Sequence, residues 1–141
     1  MIQNIKQDIE FGKKAEKVVK PILEETFGKL IDGETYDNFD FHNDKYFVEH
    51  KQRNVNFGRY NGLMFDKVKY NKYLQLKKEN PKLRFFICWS CKNGKYIWEF
   101  TDDEKQYENF KQTRDRGMGI KTTDMINVKN KYIIEFNNLT L

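Results

Sequence analysis

Two cysteines, two histidines and two prolines are few for 141 residues, and the shortages narrow the field. The cysteines stand as Cys88-Trp-Ser-Cys91 in the run Leu83–Cys91, which reads as a strand entering the turn Lys92-Asn93-Gly94. Residues three apart on a strand point to opposite faces, so the thiols do not meet as a redox pair. A zinc site would need two more ligands, and only His42 and His50 are available. Ordinary buried or edge cysteines in a reducing compartment are the expectation. No apolar run approaches the roughly 20 residues that cross a bilayer, and no charged-then-apolar leader precedes the first helical pattern. There is no repeat, low-complexity tract or linker. These absences predict a soluble, intracellular, cytoplasmic protein with no membrane partner.

What is present is aromatic mass and charge. Hydrophobic residues make up 38% of the chain and aromatics 16%, including twelve Phe and eight Tyr, so few but large side chains must build the core. That argues against disorder despite 33% charged residues. The length suits one domain, 1–141, because two cores would have about 70 residues each. Lys and Arg outnumber acids 26 to 21, for a net charge of +5. The excess is spread over Lys13, Lys14, Lys17 and Lys20, then Lys51, Arg53 and Arg59, then Lys67, Lys69, Lys72, Lys77 and Lys78. Either a polyanionic partner or a solvated lysine surface accounts for it.

Apolar residues at three- and four-residue steps predict a helix from Ile2 to Phe27, kinked or restarted at Pro21 and ended by Gly28 or Gly33. Tyr36–His42 and Tyr46–Lys51 read as a hairpin about Asn43-Asp44. A loop over 54–61, a helix from Met64 to Glu79 and a hairpin of Leu83–Ser90 with Lys95–Phe100 follow. Asp102–Phe110 suggests a short helix, Lys111–Thr123 a functional or mobile loop, and Tyr132–Phe136 a last strand. Trp89 and Trp98 suit core packing. The fold class is mixed α/β (α+β).

The stretch Phe39–Lys51 carries the chemistry. With a two-residue turn, Asp40 pairs with Phe47, and period two puts Glu49 and Lys51 on its face. Asp40 and Glu49 become diagonal neighbours about 7–8 Å apart, near enough to close around a cation. An odd-length turn would separate them. Two carboxylates and a lysine on one face suit metal-assisted phosphodiester hydrolysis: Asp40 and Glu49 hold Mg²⁺, the His50 backbone carbonyl is a further ligand, and Lys51 acts at the attacking water.

Asp40…Glu49-His50-Lys51 resembles the core of the PD-(D/E)XK nuclease superfamily, which includes restriction endonucleases, Holliday-junction resolvases and phage exonucleases. Gly12-Lys-Lys-Ala-Glu16 is similar to the glutamate-bearing first helix of that family, with Gly12 leaving room for close approach. The resemblance covers residues 1 to about 100. It implies a restriction-endonuclease-like core, with a mixed sheet and two helices packed on it. It implies Glu16, Asp40, Glu49 and Lys51 as catalytic residues, with Glu16 assisting metal or water binding. The cofactor would be Mg²⁺, with Mn²⁺ as a substitute. Phe39 stands where the family often has proline, His50 where it has an apolar residue, and Asp37 and Asp44 compete for the role of Asp40.

Lys13, Gln52, Arg53, Arg59, Lys72, Arg114 and Arg116 are candidates for nucleic-acid contact. Plain solvation competes for Lys69 and Lys72, a salt bridge to Asp115 for the two arginines, and a salt bridge to Lys13 or Lys20 for Glu16. The leading expectation is a metal-dependent DNA endonuclease of resolvase, phage or restriction type, acting as a homodimer on duplex or branched DNA, with RNA also open. The alternatives are a non-catalytic nucleic-acid-binding module of the same fold and a protein-binding inhibitor or structural factor.

Overall fold

The computed structural model describes residues 5–34, 38–115, 117 and 119–141, with side chains from Gly12 onward apart from Arg114. The elements run α1 (Ile5–Phe27), β1 (Ile31–Asp32), β2 (Phe41–His42), β3 (Tyr46–Gln52), β4 (Gly62–Asp66), α2 (Lys67–Glu79), β5 (Arg84–Cys91), β6 (Gly94–Glu99), β7 (Tyr107–Asp115), β8 (Ile120–Lys129) and β9 (Ile134–Glu135). Single 3₁₀ turns flank β9.

β5, Arg-Phe-Phe-Ile-Cys-Trp-Ser-Cys, is buried along nearly its whole length. A continuous apolar run of this kind needs cover on both faces of its sheet. It lies inside a six-stranded sheet of order β1-β2-β3-β5-β6-β9, parallel to β3 and antiparallel to β6. On one face Phe86 and Cys88 join Val48, Ile97 and the α1 residues Val19, Leu23 and Phe27. On the other, Phe85, Ile87 and Trp89 join Trp98, Phe100, Tyr70 and Tyr73 of α2, and Phe65, Ile126 and Val128. The last three belong to a second sheet of order β4-β8-β7. Both tryptophans are core residues, and the two cysteines are buried on opposite faces. Burial pushes the Cys88 thiol up to about 12, so it stays protonated and unreactive. Among the described residues no helix is long and apolar enough to cross a membrane.

Several expectations need correction. α1 is one helix through Pro21, whose ring is on the exposed side. It stops where Gly28, at φ +83°, donates its N–H to the Glu24 carbonyl. β2 is two residues long, β1 was not anticipated, and Tyr36 and Asp37 lie outside the described residues. Residues 62–66 form a strand, and α2 begins only after Asp66, whose carboxylate caps the Val68 N–H. The short helix over 102–110 and the loop over 111–123 are replaced by the hairpin β7–β8. Asp102–Gln106 is a turn instead, closed by Asp103 accepting from Lys105 and by Gln106 N–H donating to the Asp103 carbonyl.

Candidate functional site

Asn43 sets the register that builds the site. Its Oδ1 accepts from the N–H groups of Lys45 (3.0 Å) and Tyr46 (2.8 Å). Its Nδ2 donates to the carbonyls of Phe27 and Lys29, tying the turn to the end of α1. The turn therefore spans four residues: Phe41 pairs with Val48 and His42 with Phe47. Compared with a two-residue turn at Asn43-Asp44, each partner moves along β3 by two residues. Asp40 lies beyond the last of these pairs, where Phe39 packs on the α2 side and Phe41 on the α1 side, so the strand alternation breaks at Asp40. Close approach at Gly33 holds the preceding segment: its N–H donates to the Asp40 carbonyl at 2.8 Å, and a Cβ there would run into the Phe39 carbonyl.

Asp40 lies where β2 has ended, and its side chain replaces the missing strand. Asp40 Oδ2 accepts from the His50 N–H at 2.9 Å, and the Asp40 N–H donates to Glu49 Oε1 at 3.1 Å. Glu49 is 1% exposed. Lys51, two residues along the same strand, approaches its Oε2 to 3.4 Å, and Lys69 of α2 approaches Oε1 to 3.5 Å. Lys69 also donates to the Asn38 carbonyl. From the opposite side of the sheet, Glu16 of α1 shares a side-chain hydrogen bond with Asp40. Asp40 thus joins an acid from the α1 side to one from the α2 side at the sheet margin, and the group straddles that margin instead of lying beneath α1.

The electrostatics record the crowding. Burial, then the charge of Asp40, push the Glu49 carboxyl up to about 8 even though Lys51 and Lys69 pull it down. Burial, the Asp40 charge and their shared hydrogen bond push Glu16 up to about 7. His50 is driven down to about 4 by burial, so its ring is neutral at pH 7, and its Nε2 lies 2.8 Å from Ser90 Oγ.

The structure brings together Glu16, Asp40, Glu49 and Lys51. Lys20 does not pair with Glu16 but with Asp32, at 2.8 Å. Gly12 borders open space, so it provides no close approach. Asp44 is exposed in the turn, and Asp37 lies outside the described residues. Arg53, half-buried, and Lys95 join Lys51 as the cations acting on His50. Lys13, Gln52 and Arg59 are exposed and Lys72 is half-buried. Arg114 is on β7, with its side chain outside the description, and Arg116 lies outside the described residues. Solvation fails for Lys69, which is buried against Glu49. Its place on a helix one turn after the Asp66 cap was the available signal, and only the fold shows what it faces.

Among the described residues, no three His, Cys, Asp or Glu side chains converge as a ready-made cation cage. The donor set is instead the carboxylates of Asp40 and Glu49, linked through the Asp40 N–H, with Glu16 beside Asp40. The 650 Å³ cavity between α2, β6 and the C-terminal segment contains none of these groups. Comparison with family models, with curated proteins and with solved structures returns no match.

Proposed function

We propose that this protein is a metal-dependent nuclease that hydrolyses phosphodiester bonds in DNA, cutting internally. The observation that carries the reading is the Asp40 N–H bonded to the buried Glu49 carboxylate, with Lys51 at 3.4 Å from that carboxylate. Burying an acid against another acid raises both in energy, and a strand end built only for stability gains nothing from it. The element order supports a restriction-endonuclease-like core: α1, the meander β1-β2-β3, then, after β4 of the second sheet, α2 and β5 parallel to β3. Membership of the PD-(D/E)XK superfamily is part of the proposal.

The fit to a divalent cation rests on the donors. Asp40 and Glu49 offer hard oxygens, and burial, then the Asp40 charge, raise the proton affinity of Glu49. The His50 carbonyl points to the same margin as its N–H, because both groups of an extended residue face one side. Asp40, Glu49 and that carbonyl would hold Mg²⁺ or Mn²⁺, with Glu16 in reach through a bound water. Such a cation supplies Lewis acidity to the phosphate and a more acidic bound water.

The chain's own groups do the rest. Lys51, 31% exposed at its side chain, reaches from the protein interior toward solvent, where it orients the attacking water and stabilises charge gathering on the phosphate. Glu16, held near neutrality in proton affinity, accepts a proton from that water as the P–O bond to water forms and the P–O bond to the leaving nucleotide breaks. Lys69 keeps Glu49 from turning away. Arg53 and Lys95 extend positive charge from Lys51 along the strand ends, with Lys13, Gln52, Arg59 and Lys72 as outer contacts to the backbone. Cutting both strands of a duplex from one such site calls for a homodimer.

Purified protein incubated with plasmid and with branched oligonucleotides should nick them in Mg²⁺ and leave them intact in EDTA. Binding without cleavage, unchanged in Lys51→Ala, would instead establish the non-catalytic module. The observation favouring that module is that Lys51 and Lys69 already approach both oxygens of Glu49.

A further inference from the structure

We propose that the distal half of the β7–β8 hairpin is an arm that grips duplex nucleic acid beside the site; the inference rests on the nuclease reading above. The hairpin pairs continuously from Tyr107↔Val128 to Asp115↔Ile120. Its base is core: Tyr107, Met125, Ile126 and Val128 are buried. β4 covers β8 only from Met125 to Lys129. Residues 120–124 therefore have β7 as their one strand neighbour, and Lys111, Thr113, Asp115, Ile120, Lys121, Thr122 and Asp124 are exposed. A two-stranded ribbon without a third strand or a packed face is marginal by itself, so this one contributes little to the core. Its free length, Lys111 to Asp115, is about 17 Å.

The ribbon's position ties it to the site. Met125, where it leaves the body, pairs with Asp66, the cap of α2. Lys69, three residues further on, is the α2 side chain that meets Glu49. The arm thus springs from the end of α2 that borders the acids, and a duplex bound there runs along it.

Its chemistry selects the occupant. Lys111 is balanced by Asp124 across the ribbon at 3.8 Å. Arg114 and Lys121 occupy directly opposed register positions. Like charges so placed destabilise a strand pair, and a phosphate between them reverses the sign. Gln112 and Thr123 occupy register positions on the face of Arg114 and Lys121, and Thr113 and Thr122 on the face of Lys111. The major groove, about 12 Å wide, admits a two-stranded ribbon.

The test measures affinity for a labelled duplex of about 30 base pairs by fluorescence anisotropy, in EDTA, across roughly 50 to 200 mM KCl. The wild type is compared with Arg114→Glu/Lys121→Glu and with a shortened chain in which residues 112–123 are replaced by Asn-Gly. Both variants should bind about tenfold more weakly at 100 mM salt, with the slope of log K against log salt shallower by about 2. The shortened chain keeps the Lys111↔Asp124 pair and the buried base, so it still reports if the charge reversal disturbs folding. Wild-type affinity and slope in both variants would overturn the arm. A lost dimer with duplex affinity per protomer intact would also overturn it, assigning the ribbon to a second copy. Wild-type protein that neither binds nor cleaves would sink the nuclease reading itself, whereas cleaving wild type with fully binding variants would sink the arm alone.

Discussion

Replacing Glu49 by Gln should make the metal-free protein more stable in alkali while abolishing cleavage. In the folded chain Glu49 holds its proton up to about pH 8, whereas in the unfolded chain a glutamate releases it near 4.3. Between those values the folded state binds one proton more than the unfolded state, so stability falls as pH rises, by about 1.4 kcal/mol per pH unit. Below pH 4 the penalty is absent, and above about 8 it is fully developed, at roughly 5 kcal/mol. The amide of Glu49→Gln keeps an acceptor for the Asp40 N–H and carries no charge to desolvate, so this slope should vanish. Urea unfolding of both proteins in EDTA at pH 5, 6, 7, 8 and 9 measures it: the curves should lie close together at pH 5 and diverge by several kcal/mol at pH 9. Mg²⁺ should close part of that gap for the wild type alone, since free cation at ten times its dissociation constant adds about 1.4 kcal/mol. Parallel stability profiles, or equal stabilisation of both proteins by Mg²⁺, would refute the argument that a buried, strained carboxylate awaits a cation.

Other substitutions separate chemistry from support. Lys51→Ala should lower single-turnover cleavage by about 10²–10³-fold if its ammonium acts on the reacting phosphate as proposed; a loss under tenfold would exclude that role. Lys69→Met strands the Asn38 carbonyl and one side of Glu49, costing about 2–3 kcal/mol at pH 8, with most of it recovered in combination with Glu49→Gln; a double-mutant cycle without coupling would show that the pair does not interact. Asp40→Asn retains an oxygen for the His50 N–H and should fold normally without cutting, whereas Asp40→Ala leaves that N–H unpaired and should cost about 1–3 kcal/mol in thermal or urea unfolding. Phe65→Ala, at a residue 0% exposed and packed on Trp89, Trp98 and Phe100, should cost about 3–5 kcal/mol in urea unfolding, with cleavage by the folded fraction like that of the wild type.

What could be read in the chain depended on whether a segment has a buried face. α1, β3, α2 and the β5–β6 hairpin each bury one, and each left a periodic or continuous apolar signal. Beyond its base the described residues of β7–β8 bury none, so Lys-Gln-Thr-Arg-Asp lacked the alternation that marks a strand and passed for a loop. β1 and β2, two residues each, are too short to carry a period. β4 runs straight into α2, and its apolar residues merged with the helical pattern. Within the site, the hairpin bearing Asp40, Glu49 and Lys51 was legible from its alternation, but its pairing was not. That depended on Asn43 reaching both the turn and the end of α1. Lys69 had no local mark of burial; its meaning comes from a carboxylate on a strand twenty residues earlier.

The shortness of β2 is what makes the site possible. Had β2 continued to pair beyond Phe41, the N–H and carbonyl of His50 would have entered an ordinary ladder and the margin of β3 would be closed. Instead the ladder stops, the Asp40 carboxylate takes the His50 N–H, and the carbonyl of the same residue is turned toward the gap. β3 meanwhile stays rigid because its other margin is paired with β5 along seven residues, from Tyr46↔Arg84 to Gln52↔Ser90, and His50 is clamped to Ser90. One side of the strand is therefore immobilised and the other left polar and open. Glu49 and Lys51 project from that strand toward α2, where Lys69 closes on Glu49. The acids crowd because the fold holds the strand still on one side and withholds its neighbour on the other, a geometry that costs stability and that the proposed cation would relieve.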